Sequence, residues 1–160
     1  SGVTPCCPLE PAQSLGISQA ALRDIEKELR QAAPRIEGLI GAFLNITALT
    51  EWLVQQDDNI LLLCSGWKDK FNLEDSVFAG AVMDKLLESG KFGVEEDSSI
   101  AAKYLYMAAK ENYLSILKAA PRRKRLEQLR LFDDVKFCLT PDQSRVIPEL
   151  KDGVLVRMEN

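Results

Sequence analysis

The sequence predicts an α/β fold: three layers, α/β/α, with a mostly parallel sheet between helices. Three observations carry that expectation. The unbroken apolar run at residues 60–64, ILLLC, has the length of a fully buried strand and is too short for a typical helix. Helical stripes flank it, Leu49, Trp52 and Leu53 before it and Leu73, Val77 and Ala81 beside Phe78, Val82 and Leu86 after it. The resulting order of helix, strand, helix, strand, helix favours parallel strands joined by right-handed crossovers.

Taken in order, residues 1–16 are rich in Pro and small residues and read as a loosely ordered lead-in. Ser18 caps a helix through Ala33 with the stripe Leu22, Ile25, Leu29 and Ala32, and Pro34 stops it. A strand containing Gly38 and Gly41 is expected at 36–43, and Asn45 then caps a helix over 46–56. Ser65 and Gly66 end the apolar run, and a charged loop follows at 67–70. Asn72 reads as the next N-cap, with Asp75 at capping-box spacing, and Gly90 stands where a C-terminal cap belongs. Asp97 caps a long helix at 98–119 carrying Tyr104, Leu105, Ala108, Ile116 and Leu117, and Pro121 breaks it before a basic segment at 122–130. Residues 132–138 are short and ambiguous. The tail pairs 145–150 with 154–158 around Lys151, Asp152 and Gly153, as a hairpin or strand pair. Two strands alone make a poor sheet, so either the C-terminal segments add strands or a partner segment does. An open strand edge of that kind favours self-association into a homo-oligomer.

At 160 residues the chain is one domain of ordinary size, divided here into a lead-in (1–35) and an α/β unit (36–160). An apolar fraction of 46% with 28% charged residues is globular. The net charge of −4 argues against nucleic acid as a partner. No apolar run approaches the roughly 18 residues of a membrane span, and no signal-peptide pattern is visible, so a cytoplasmic protein without a membrane partner is expected. The opening Ser1-Gly2 lacks a Met and reads as an expression scar or the start of a fragment. The cysteines, Cys6, Cys7, Cys64 and Cys138, include no CxxC pair, and the chain has no histidine, which argues against zinc. Cys6 and Cys7 read as plain thiols of a reducing compartment, with a redox pair as the alternative. Without histidine, neither Ser-His-Asp nor Cys-His catalysis can be assembled within the chain.

In a parallel sheet, the loop after the first strand (41–45) and the loop after the second (64–66) share one rim. Asn45 brings an amide, Ser65 a hydroxyl and Gly66 close backbone approach, while Glu74 and Asp75 place two carboxylates on the first turn of the following helix. Backbone donors beside carboxylates suit a phosphate held with Mg²⁺, since that ion takes oxygen ligands and bridges to phosphate oxygens. Helix capping explains Asn72 and Asp75 equally well, and acidic first turns are routine because of the helix dipole. Glu74 has no capping duty in this register and is the better metal candidate.

The strings GAFLNITALTEWL (41–53) and LLLCSGWKDKFNLEDSVFAGAVMDKLL (61–87) resemble the 2-phosphosulfolactate phosphatase family of coenzyme M biosynthesis, the ComB-like family. Shared with it are a Ser-Phe-Leu-Asn-type element, a Cys-Ala/Ser-Gly loop, Phe-x-Leu-Glu-Asp and an Ala-Gly helix. Arg125-Leu126, Asp133-Asp134-Val135, Val146-Ile147-Pro148 and Asp152-Gly153 resemble its C-terminal pattern. The likeness runs from 36 to 158. The family's N-terminal half, with an Asp-Val-Leu-Arg-type strand end and a Thr-Thr-Asn-Gly loop, has no counterpart in the chain.

What the resemblance implies is Mg²⁺-dependent hydrolysis of the phosphate ester of a small sulfonated acid, 2-phosphosulfolactate to sulfolactate. Glu74 and Asp75 would be the metal-binding or water-activating carboxylates. Asn45, Ser65 and Gly66 would hold phosphate or sulfonate oxygens, and Arg125 would contact the sulfonate. With the family's other half absent, the alternatives are an inactive fragment, a non-catalytic module that binds an anion or a partner through the same rim, or a hydrolase of other small phosphate esters that shares the site and differs only in substrate.

Other features have plainer readings. The run Arg122-Arg123-Lys124-Arg125 reads as a solvated helix face. Cys64 lacks the phosphate-cradling loop ending in arginine that a cysteine phosphatase needs, and reads as a buried small side chain. Asp133 and Asp134 read as a surface turn. Trp52 falls on a core stripe, whereas Trp67 lies in the rim loop and is placed to cover a ligand.

Overall fold

The computed structural model describes residues 38–66, 71–94, 96–115, 131–151 and 154–158. The expected helix at 18–33, the charged loop at 67–70, the basic segment and Arg125 lie outside the described residues.

Short β1 (Gly38–Leu39) leads into a 3-10 turn (Phe43–Asn45) that runs directly into α1 (Ile46–Val54). Asn45 starts this turn: its Oδ1 accepts the Ala42 N–H at 2.9 Å, which bends the chain out of the extended conformation. That local bond is why the strand expected at 36–43 ends at Leu39; residues 36 and 37 lie outside the described residues. Its companion α2 (Leu73–Glu88) begins as expected, with Asn72 Oδ1 accepting the Glu74 N–H at 3.1 Å. It ends where Gly90, at φ +71°, donates its N–H to Leu87 O.

Across α2 lies α3 (Asp97–Ala109). The two helices approach so closely at Gly80 that a Cβ there would run into the Ala102 carbonyl and Tyr106. Expected to continue to 119, the helix stops at Ala109. Asn112 N–H bonds to Ala109 O, and Asn112 Oδ1 then accepts the Ser115 N–H at 3.2 Å, so a fresh cap interrupts the first helix. The ambiguous stretch is helical, α4 (Phe132–Cys138).

The tail forms the expected hairpin: β2 (Pro148–Lys151) pairs antiparallel with β3 (Val154–Arg157), Glu149 opposite Val156. On its other edge β2 pairs antiparallel with β1, Gly38 opposite Leu150. The described chain is therefore mixed α and β, and its ladders are antiparallel, in the order β1-β2-β3. The parallel arrangement expected between 36–43 and 60–64 is not seen among the described residues.

Two faces of the chain meet in one core. Phe43, Ile46, Leu49 and Leu53 pack against Val77, Ala81, Val82 and Leu86, with Ala109 and Ile147 closing it. The Phe43 ring meets Phe78 edge-on at 5.3 Å between centroids and Tyr113 at 4.6 Å. Residues 142–146 are stapled onto the start of α1. Asp142, itself at φ +59°, accepts the Thr47 N–H at 2.9 Å and the Thr47 hydroxyl at 2.8 Å, and Ser144 donates its N–H to Leu44 O. A distant aspartate thus satisfies a donor in the first turn of α1.

The fully buried strand expected at 60–64 is not formed: among the described residues the run belongs to no ladder, and only alternate side chains turn inward. Ile60 and Leu62 pack on the core, while Leu61 and Leu63 are each 66% exposed, the alternation of a strand. No helix among the described residues is long and apolar enough to cross a membrane.

Candidate functional site at the amino end of α2

A loop and a helix end are tied together where residues 64–66 meet α2. Gly66, at φ +65°, takes a conformation that suits glycine, and its N–H donates to Asp75 Oδ2 at 2.6 Å. The Ser65 hydroxyl lies 3.4 Å from the same oxygen. The other carboxylate oxygen, Asp75 Oδ1, accepts from Asn72 Nδ2 at 2.8 Å. Asn72 therefore caps with one side-chain atom and steers Asp75 with the other. In a standard capping box Asp75 would reach back to the Asn72 backbone; here it reaches across to the loop.

Ser65, Gly66, Asn72 and Asp75 thus form one linked group, with the half-buried Glu74 beside it on the first turn. The Ser65 side chain is exposed. Asn45 has other neighbours. It is 5% exposed, and besides accepting from Ala42 its amide donates to Ile40 O at 3.2 Å and Val146 O at 2.9 Å. Its polar atoms hold backbone, so a contact with a ligand would give up one of these bonds. Arg125 lies outside the described residues.

Cys64 is half-buried. Burial pushes its thiol above the usual range, the Asp75 carboxylate pushes the same way, and a hydrogen bond with Ser76 opposes them. A thiol held protonated is a poor nucleophile, which agrees with its reading as a small buried side chain.

Among the described residues no group of three His, Cys, Asp or Glu side chains could hold a metal ion. Both oxygens of Asp75 already accept hydrogen bonds from the chain. Among the described residues these side chains do not complete a Mg²⁺ site by themselves. Two carboxylates at the edge of an anion site also repel the anion, so a phosphate here needs compensating positive charge.

Sequence reasoning passed over Asp142. The turn-forming Pro141-Asp142 pair was the available signal, but a cap supplied from 95 residues away leaves no local spacing to read. A shallow, open depression between α1 and α2, lined by Thr47, Thr50, Glu51, Val54, Lys85 and Glu88 among others, contains none of the expected site residues.

Residues 26–153 match the family model described as 2-phosphosulpholactate phosphatase. A protein of Caldanaerobacter subterraneus subsp. tengcongensis is 32% identical over 129 residues, covering 81% of this chain and 53% of the relative. One from Thermotoga petrophila is 37% identical over 126 residues (78% and 53%), and one from Cyanothece sp. 35% over 124 residues (74% and 51%). All three carry the name "Probable 2-phosphosulfolactate phosphatase". The chain spans about half the length of the curated relatives it matches.

Proposed function

We propose, because this chain belongs to the 2-phosphosulpholactate phosphatase family, that the linked group at the amino end of α2 is its share of a phosphoric monoester hydrolase site for 2-phosphosulfolactate. The observation that carries the reading is the Gly66–Asp75 clamp, which brings the Ser65 hydroxyl to Asp75 on the helical turn that also carries Glu74. In this reading the Ser65 hydroxyl donates to a phosphate oxygen. Glu74 accepts the proton of the attacking water as its oxygen bonds to phosphorus. The ester P–O bond breaks and the departing sulfolactate oxygen takes a proton from solvent, while Asp75 and Gly66 fix the loop. Asn45 acts from behind, holding the start of α1 and residue 146 together. Arg125 contacts the sulfonate.

Mg²⁺ belongs to the proposal as an ion held jointly by Glu74 and by residues beyond those described, where it would offset the phosphate charge. The three-layer fold with a mostly parallel sheet, a role in coenzyme M biosynthesis and a cytoplasmic site of action are likewise proposed for the complete family domain. With net charge −4, a small phosphate ester is a better partner than nucleic acid. The testing experiment is phosphate release from 2-phosphosulfolactate with Mg²⁺ and again with EDTA. Release that EDTA abolishes supports the reading, and equal release in both removes the metal from it.

A second reading, a non-catalytic anion- or partner-binding module, is favoured by the chain spanning about half the length of its relatives. Binding of 2-phosphosulfolactate without turnover would select it.

A further inference from the structure

We propose that residues 60–64 are a strand whose pairing is completed by an extended segment from the part of the family sequence that this chain does not match. The inference rests on family membership and on the geometry of this run, and is independent of catalysis.

Alternate side chains packed on a core are the pattern of a strand in a sheet, yet among the described residues this run has no ladder. Ile60 and Leu62 pack on the core and Cys64 is half-buried, while Leu61 and Leu63 face outward at 66% exposure. Among the described residues none of the backbone hydrogen bonds involves residues 60–64. Such groups need partners, and an apolar strand left open is a template for another chain. Proteins guard permanent edges with Lys, Pro, bulges or inward charges; ILLLC has no charge and no Pro. The run is therefore built to be covered on both sides.

Its occupant follows from length. The relatives share this half of their sequence with the chain, and about half of their own length lies beyond the match. A strand from that remainder, adding to the run by backbone pairing and covering Leu61 and Leu63, completes a buried sheet. It reaches the run either within one polypeptide or as a separate one. A second copy of this chain is the competing occupant, and the test separates the two.

Hydrogen exchange at the 61–64 amides is followed in three samples. These are the chain alone, the chain mixed with the unmatched part of the Thermotoga petrophila relative made as a separate polypeptide, and the two joined as one polypeptide. Alone, the chain is expected to be monomeric, with these amides exchanging freely while those of α2 are protected. In the mixture or in the joined protein their exchange should slow by roughly 100-fold, and L61D/L63D should abolish that slowing. Protection in the chain alone overturns the inference, whether as a dimer, where a second copy is the occupant, or as a monomer. So does unchanged exchange in both the mixture and the joined protein. A joined protein that is protected but releases no phosphate keeps this inference and removes the phosphatase reading.

Discussion

Asp75 Oδ2 accepts the Gly66 N–H at 2.6 Å, closing the loop after residues 60–64 onto the first turn of α2. The bond spans nine residues and joins the end of an extended run to a helix cap. It brings Ser65 to Asp75, whereas the sequence alone leaves them ten positions apart.

Removing that acceptor should loosen the loop. Asp75→Ala leaves the Gly66 amide without its carboxylate and should lower unfolding stability by about 1–3 kcal/mol. Chemical denaturation measures the loss, and faster exchange of the Gly66 amide localises it. Wild-type exchange at Gly66 in the variant would mean the clamp is not held in solution.

Close packing at Gly80 makes a second prediction. Gly80→Ala forces a methyl into the Ala102 carbonyl and should destabilise by about 1–3 kcal/mol, although alanine is the better helix former. Gly93→Ala, with nothing within 4 Å of the new methyl, is the matched control and should be close to neutral. Equal melting temperatures for the two variants would contradict the tight crossing of α2 and α3.

The staple between residues 142–146 and α1 should also be measurable. Asp142→Ala removes the acceptor of the Thr47 N–H and should cost about 0.5–2 kcal/mol. Asn45→Ala strands the Ala42 N–H and two carbonyls and should cost about 3 kcal/mol. In the double variant the losses should fall short of additive, because both residues hold the same segment.

Cys64 sets a pH dependence. Its folded thiol keeps its proton to higher pH than an unfolded thiol, since burial and the Asp75 charge disfavour the thiolate. The associated stabilisation is fully present below the unfolded thiol's range, near about pH 8.5, and fades as pH climbs through the raised folded value. Cys64→Ala should flatten that part of the alkaline stability curve. Iodoacetamide should modify Cys64 more slowly than the exposed Cys138. The reverse order would sink the account of its environment.

Local chemistry explains what could be foreseen. Asn72 capping α2, the stop at Gly90, the stripe from Val77 to Leu86 and the hairpin of β2 and β3 each depend on residues a few positions apart. What escaped depends on distance. The pairing of Gly38 with Leu150, the Asp142 cap on Thr47 and the employment of Asn45 by Val146 O all join residues more than 90 positions apart. The strand expected at 60–64 from its apolar run is not seen among the described residues; a ladder is a property of two segments, and the run alone names no partner. Of the expected site residues, Ser65, Gly66 and Asp75 come together, Glu74 sits beside them, and Asn45 is engaged elsewhere.

Glu74 carries the proposed proton transfer. In protein that turns over 2-phosphosulfolactate, Glu74→Gln should cut phosphate release by about 100-fold or more, with little change in stability for a half-buried first-turn residue. Undiminished release would take Glu74 out of the chemistry.

Amide NMR during titration with 2-phosphosulfolactate and Mg²⁺ bears most directly on the site itself. The signals of Ser65, Gly66, Glu74 and Asp75 should move together along one binding curve, and Ser65→Ala should weaken it. Shifts confined to the depression between α1 and α2, with those four signals unmoved, would contradict the assignment.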